Sequence, residues 1–149
     1  MRDERVRVSG SVLSLVVEGH EVDRRRVEDA SRLYVVLPEN TCLDDDEPFY
    51  ALVLGLVVWV IPYFTPGIDV LLAAIHPVLE ARRGVTRVEN VPFPWSWRRR
   101  FLGFFPLLPL PELGCHPLAS LPSWASERGD TAVLARSVPP PALEPRGAE

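Results

Sequence analysis

The chain has 149 residues, 47% of them apolar, with 16 prolines and a formal net charge of −4. This length allows one domain at most, and neither half shows the basic excess that nucleic-acid-binding domains carry: residues 1–48 hold seven Arg against twelve acidic residues, and residues 49–149 hold nine against eight. Lysine is absent, which excludes Lys-dependent phosphate binding and Schiff-base chemistry. The all-arginine usage indicates a GC-rich reading frame, as in a virus-encoded gene, a young frame or a high-GC genome.

The first forty residues predict a small ββαβ unit, residues 1–40 of an α+β chain. Residues 4–18 alternate in polarity around Gly10, which is typical of a β-hairpin. Residues 21–30 are charged with two isolated valines, which indicates a short surface helix, and residues 32–38 are β-branched and end in proline, as a strand does. Residues 41–47 follow as an acidic linker without the glycine and ligand spacing of a calcium loop.

Residues 48–66 predict one transmembrane helix, since the run from Pro48 to Ile68 contains no charge. A helix of that length spans roughly 30 Å, the thickness of the hydrocarbon core of a bilayer. Aromatic side chains lie toward both ends of the run, as they do at membrane interfaces. The predicted interface residues of this segment are Tyr50, Trp59 and Tyr63.

The stretch LDDDEPFYALVLGLVVWVIPYF resembles the start of the first span of the third triple-gene-block movement proteins of plant viruses. The shared features are an Asp-rich approach, an aromatic pair before Ala, and a Trp inside the span. The second span and the tyrosine-containing central motif of that family are missing here. The resemblance therefore implies a membrane span and transfers no site residue.

Residues 67–84 predict an amphipathic helix. Apolar residues recur at helical spacing from Ile68 to Leu79, and polar residues such as Asp69 and Glu80 fall on the other face. A helix lying on a membrane surface fits this pattern, and a helix packed on a soluble core fits it equally. Pro77 interrupts the pattern and weakens both interpretations.

Residues 85–118 form a membrane-proximal segment rich in proline, aromatic residues and arginine. Tryptophan rings at headgroup depth beside guanidinium groups would anchor it on an anionic leaflet. The predicted anchor consists of Trp95, Trp97, Arg98, Arg99 and Arg100. The alternatives are an irregular loop against the rest of the chain and, with less support, nucleic-acid stacking. The tail, residues 119–149, is predicted to be disordered.

No motif in the sequence indicates an enzyme, a cofactor or a metal site. His20 and Glu21 begin like a zinc-protease helix, but Arg24 stands where the second histidine is required. Cys115 and His116 are adjacent, and adjacent side chains generally diverge. Cys42 and Cys115 lack metal-ligand spacing, so free thiols or an incidental pair are expected.

The sequence therefore predicts a small non-enzymatic accessory or adaptor protein attached to a membrane. Its expected partners are an anionic leaflet and an unidentified protein, with nucleic acid disfavoured and no small-molecule substrate. The arginine distribution predicts the N-terminus outside and the C-terminus in the cytoplasm. The alternatives are a soluble α+β protein-interaction module, in which residues 49–64 form a buried core helix, and a poorly folded product of a young frame.

Overall fold

The structure is a computed structural model, and it describes residues 3–38, 48–91, 94–98 and 111–125. Within these residues the chain forms eight β-strands in two sheets and one α-helix that packs against both sheets. The α+β class predicted from the sequence is confirmed, with strands predominating.

The first sheet is a three-stranded antiparallel meander of β1 (Arg5–Ser9), β2 (Val12–Val17) and β3 (His20–Arg26). Gly10 begins the two-residue turn between β1 and β2 with a φ of +64°, which a type II′ turn requires at this position. The predicted hairpin around Gly10 is therefore confirmed.

The helix predicted over residues 21–30 is wrong. Most of these residues belong to β3, and only Val27–Asp29 forms a single 3-10 turn. Pairing with β2 supplies the backbone hydrogen bonds of this charged segment, and the alternation of the strand separates its side chains between two faces. Local charge composition could not reveal this pairing.

The second sheet has five strands in the order β7-β4-β5-β6-β8. The strands are β4 (Ala30–Pro38), β5 (Phe49–Leu54), β6 (Val57–Pro62), β7 (Val85–Val91) and β8 (Gly114–Pro117). β4 confirms the strand predicted over residues 32–38. β4 and β7 are parallel and the other neighbours are antiparallel. The parallel pair needs a crossover, which helix α1 (Ile68–Arg82) supplies between β6 and β7.

Residues 48–66 do not form the predicted transmembrane helix. β5 and β6 turn at Gly55 and Leu56 and pair along their whole length. Both strands are covered on both faces, and strands buried in this way read as continuous apolar runs. The alternative of a buried core helix over 49–64 is right that most of the strand residues in this range are buried and wrong about the helix. Across the described part of the chain, no helix is long and apolar enough to cross a membrane.

Helix α1 confirms the helix predicted over residues 67–84 and continues through Pro77. Its buried side chains are Ile68, Leu71, Ile75 and Leu79. They join residues of both sheets in the first core, which lies between the three-stranded sheet, α1 and one face of the five-stranded sheet. The apolar face of α1 is therefore covered by protein, as in the second interpretation of its sequence pattern.

The second core covers the opposite face of the five-stranded sheet. Trp97 packs edge-to-face on Phe49, with their ring centroids 6.1 Å apart. Trp124 packs in the same way on Tyr34 at 5.7 Å, and the Tyr34 hydroxyl donates a hydrogen bond to the carbonyl of Ala125. Trp124 and Ala125 are buried, so the predicted disordered tail cannot begin at residue 119. The acidic linker 41–47 and the tail from residue 126 lie outside the described residues.

Candidate functional site

The outer face of the three-stranded sheet, which points away from the first core, carries four arginine side chains. Side chains alternate along a strand, so those next to the inward-facing valines of β1 point outward. The register carries this row across the sheet, with Arg7 opposite Ser14 and Ser14 opposite Arg24. We call this surface the arginine face; its arginines are Arg5, Arg7, Arg24 and Arg26.

A β-bulge in β3 brings Glu21 onto the arginine face. Regular alternation would place residues 21 and 24 on opposite faces, because their positions in the chain differ by three. The register between β2 and β3 shifts at Val22, so Glu21 lies opposite Val16 and shares a face with Arg24. Bulges re-aim side chains in this way, and they occur frequently beside functional sites.

Glu21 sits between two guanidinium groups at the centre of the arginine face. Arg24 donates to both of its carboxylate oxygens, from Nε at 2.8 Å and from Nη2 at 3.1 Å. Arg7 approaches from β1, with Nη2 at 3.6 Å from Oε1. The hydrogen bonds from Arg24 are the largest cause that lowers the pKa of Glu21, and Arg7 and Ser14 add to the effect. The carboxylate therefore stays ionised near neutral pH.

These groups line a surface depression of about 540 Å³. Its polar lining comes from Arg7, Arg24, Glu21, Ser9 and Ser14. Val12 adds an apolar side chain, and Val8, whose side chain packs on the first core, borders the depression with its backbone. The side chain of Arg7 is 50% exposed and that of Arg24 is 66% exposed, so both guanidinium groups can reach a molecule in the depression. A depression with two guanidinium groups and hydroxyl donors fits an anionic group.

The outer arginines, Arg5 and Arg26, are also paired. Arg5 Nη1 lies 2.7 Å from a carboxylate oxygen of Asp3, and Arg26 Nε lies 2.9 Å from one of Glu28. Together with Glu21, the face thus combines four guanidinium groups with three carboxylates. Exposed pairs of this kind exchange partners at little cost, because solvent screens them.

A separate polar cluster joins the two sheets. Asp23 points inward from β3, where its Oδ2 accepts hydrogen bonds from the Trp59 indole at 2.8 Å and from Arg25 Nε at 2.9 Å. Burial alone would raise the pKa of Asp23, but these two donors together lower it. Burial and the Asp23 carboxylate raise the pKa of the nearby Cys115 thiol to about 11. A thiol with that pKa is a poor nucleophile, so the cluster fits a structural link.

Cys115 and His116 lie on opposite faces of the five-stranded sheet. Cys115 is opposite Trp59 and contacts the first core, whereas the His116 ring lies 6.0 Å from that of Trp97 beside the second core. The two side chains therefore cannot act as a catalytic pair. No group of three His, Cys, Asp or Glu side chains in the described ranges could hold a metal ion.

Two of the predicted membrane-interface residues are fully buried. Trp59 fills the first core and Trp97 the second, each with 0% exposure, so neither can contact lipid in this fold. Their assignment to an interface is corrected, because a large ring can fill a core as readily as it can anchor at a headgroup. Tyr50 is half-buried against the first core, and burial raises its pKa, with the charge of Asp69 adding to the shift.

Tyr63, another of the predicted interface residues, is 49% exposed. It packs edge-to-face on Phe64, with ring centroids 5.5 Å apart, in the connection between β6 and α1. Trp95 begins a 3-10 turn and Arg98 forms a bridge with Pro111. Arg99 and Arg100 lie outside the described residues. The burial of Trp97 in the second core removes this residue from the predicted anchor.

The sequence interpretation overlooked the arginine face. The signal was present in the alternating RVRVS of β1, which pairs one arginine with each inward valine. The second half of the face comes from β3, whose residues 21–26 fall within the helix predicted over residues 21–30. A helix over these residues would not place Arg24 and Arg26 on one face, as a strand does. The two segments could therefore not be recognised as parts of one surface.

Comparison of the chain with protein-family models, with curated proteins and with solved structures finds no significant match. The fold and its surfaces therefore define the chain only as an α+β protein with a depression suited to an anionic group.

Proposed function

We propose that the chain is a non-enzymatic accessory or adaptor protein that binds an anionic segment of a partner protein through the arginine face. The observation that carries this proposal is the pair of exposed guanidinium groups, Arg7 and Arg24, on either side of one depression. Both come from strands of a three-stranded sheet whose other face is held by the first core. The donors are thus held on rigid elements, which limits the entropy lost on binding.

Charge also supports a protein partner over a nucleic acid. The arginine face carries only one more guanidinium group than carboxylates, and the whole chain has a net charge of −4. Nucleic-acid binding draws most of its affinity from many phosphate contacts, which this surface cannot supply. A short anionic segment needs only a few matched pairs.

The proposal is tested with a fluorescein-labelled eight-residue peptide that contains four Glu, and a neutral peptide with Gln at the same positions. Fluorescence anisotropy should show that the acidic peptide binds and that the neutral peptide does not. Binding of the acidic peptide should weaken as the salt concentration is raised. The double change Arg7→Gln with Arg24→Gln should weaken binding at least tenfold. Arg87→Gln is the matched control, because Arg87 pairs with Glu89 at 2.7 Å on the other sheet. Equal binding by the double variant and the control would refute the proposal.

Attachment to an anionic membrane surface is a second candidate. Tyr63 and Phe64 expose about half of their side chains, and the backbone N–H of Val6 donates to the carbonyl of Pro66 at 3.0 Å, which brings this aromatic pair near β1. An exposed aromatic pair near a strand that carries arginines suits a lipid headgroup region. The predicted orientation, with the N-terminus outside, would need a span, and the described residues offer no helix for it.

Vesicles with and without anionic lipid distinguish this candidate from the first. Surface attachment predicts binding to anionic vesicles that Tyr63→Ser with Phe64→Ser weakens, and release by alkaline carbonate. Retention in carbonate-washed membranes would instead support an integral attachment. Failure to bind anionic vesicles, with no retention, would exclude membrane attachment.

A further inference from the structure

Glu21 occupies the position that an anionic ligand would take in the depression. Its carboxylate receives two hydrogen bonds from Arg24 and lies 3.6 Å from Arg7, and the bulge at Val22 is what places it there. A bound ligand must share these guanidinium groups with Glu21 or displace it. Glu21 thus acts as a competitor built into the chain.

Because Glu21 is part of the chain, a ligand must bind the guanidinium groups more strongly than Glu21 does in order to displace it. A side chain held beside its partners has an effective concentration on the order of millimolar or higher, so a free group of equal charge gains little by replacing it. A single carboxylate from a partner protein carries the same charge and the same two oxygens as Glu21. It would therefore displace Glu21 only poorly.

A phosphate monoester can bind the two guanidinium groups more strongly than the Glu21 carboxylate does. It carries about −1.5 to −2 charges at neutral pH and three strong acceptor oxygens. Arg7 and Arg24 can each donate to different oxygens, and Ser14 supplies a hydroxyl in the same depression. Arginine is well matched to phosphate, because its planar guanidinium offers two parallel donors.

Resting on the proposed function, we propose that the depression binds a phosphorylated side chain of a partner protein, and that the phosphate displaces Glu21 from Arg7 and Arg24. A protein source is favoured over a lipid because the side chain of Val12 and the backbone of Val8 line the depression beside the charged groups. They can contact the residues that flank a phosphorylated position. A bilayer headgroup layer presents no such flanking side chains.

The experiment uses the full chain and three labelled peptides that differ at one position, which is phosphoserine, glutamate or serine. The flanking residues are neutral, and affinity is measured by fluorescence anisotropy. The phosphoserine peptide should bind at least tenfold more tightly than the glutamate peptide, and the serine peptide should not bind. Arg24→Gln should weaken binding of the phosphoserine peptide at least tenfold.

Glu21→Gln tests the competitor directly. It keeps the shape of the side chain and removes its charge, so binding of the phosphoserine and glutamate peptides should tighten at least fivefold. The factor should be similar for both, because both must displace the same group. Glu89→Gln is the matched control, because Glu89 pairs with one arginine at a similar distance outside the depression. Unchanged or weakened binding by Glu21→Gln would overturn the competitor role.

The remaining outcomes separate this inference from the proposed function. If the four-Glu peptide binds through Arg7 and Arg24 but phosphoserine binds no better than glutamate, the proposed function stands and the phosphate preference is overturned. If no peptide binds, or if the arginine changes have no effect on binding, both the proposed function and this inference are overturned. Equal affinity for inorganic phosphate alone, or binding only to phosphoinositide vesicles, would overturn the assignment to a protein partner.

Discussion

Asp23 shows how one inward-facing carboxylate can join two sheets. It belongs to β3, and its hydrogen bond to the indole of Trp59 reaches β6 in the other sheet. A buried carboxylate is costly unless charged or polar donors surround it. Arg25 and Trp59 supply those donors, and so the same residue that would destabilise an apolar core fixes the position of β3 over β6.

The raised pKa of Cys115 predicts that its thiol is alkylated slowly. Because the pKa of Cys115 rises from 9.0 to about 11, its thiolate fraction at pH 8 falls about a hundredfold. In a Cys42→Ser background, Cys115 should react with iodoacetamide about ten times more slowly than glutathione, or slower still, because the higher nucleophilicity of a more basic thiolate offsets only part of this loss. Mass spectrometry over time measures the rate. A rate equal to that of glutathione would contradict the assigned environment of Cys115.

His116 predicts a loss of stability in mild acid. Burial beside Trp97 lowers the pKa of His116 below its usual value near 6.5, although the charge of Glu112 opposes the shift. Between the two pKa values the unfolded chain binds a proton that the folded chain does not. The free energy of unfolding should therefore be highest above pH 6.5 and fall as the pH is lowered from 6.5 toward the folded pKa.

Urea titrations at pH 7.5 and pH 5.5 measure this effect of His116. His116→Asn should reduce the difference between the two midpoints, because asparagine does not titrate. His20→Asn is the control, since His20 is exposed on β3. If His116→Asn keeps the full difference, another group must cause it.

At the scale of elements, the junction between β1 and α1 depends on Gly67. Gly67 precedes the first residue of α1 with a φ of +89°, and a Cβ there would overlap the carbonyl oxygen of Val6. Gly67→Ala should therefore lower the free energy of unfolding by about 2 to 4 kcal/mol, from backbone strain and the overlap together. Helix α1 would have to move away from β1 to relieve the overlap with the carbonyl oxygen of Val6.

Gly10→Ala is the matched control for this prediction. Gly10 also has a positive φ, but no atom lies within 4 Å of a Cβ built there. It should cost only the strain of the left-handed backbone, about 1 to 2 kcal/mol. Urea unfolding of both variants gives the comparison, and equal losses would show that the contact with Val6 contributes nothing.

The edge strand β3 illustrates why some elements resist prediction. Five of its seven residues are charged, and its bulge interrupts the alternation that identifies strands. Both features also suit an outer strand, because charges and bulges prevent pairing with other chains. Helix α1 was predictable by contrast, since its apolar residues keep a helical period on one face.

At the scale of the whole molecule, the central strands should be the most protected part of the chain. β4, β5 and β6 each have a hydrogen-bonded neighbour on both sides, whereas β3 and β7 lie at sheet edges. Hydrogen exchange followed by NMR should show the slowest amides within residues 50–53 and 58–61. Leu56, at the turn and 77% exposed, should exchange quickly between them. Uninterrupted protection from residue 49 to 62 would indicate a helix and contradict the hairpin.

The amino-acid sequence by itself determined the elements whose signal is local. Gly10 marks the first hairpin because a tight turn needs a positive φ, and the spacing from Ile68 to Leu79 marks the helix. These features depend on neighbours in the chain, so they can be predicted without knowing what lies across from them.

Only the tertiary structure decided between a helix and two strands for residues 49–62. An apolar run has no period that separates a membrane helix from strands buried on both faces, and here β4, β8 and the two cores cover it. The tertiary structure also decided the site. Glu21 meets Arg7 and Arg24 because three strands pair in one register with a bulge, and register is a property of paired strands rather than of one segment.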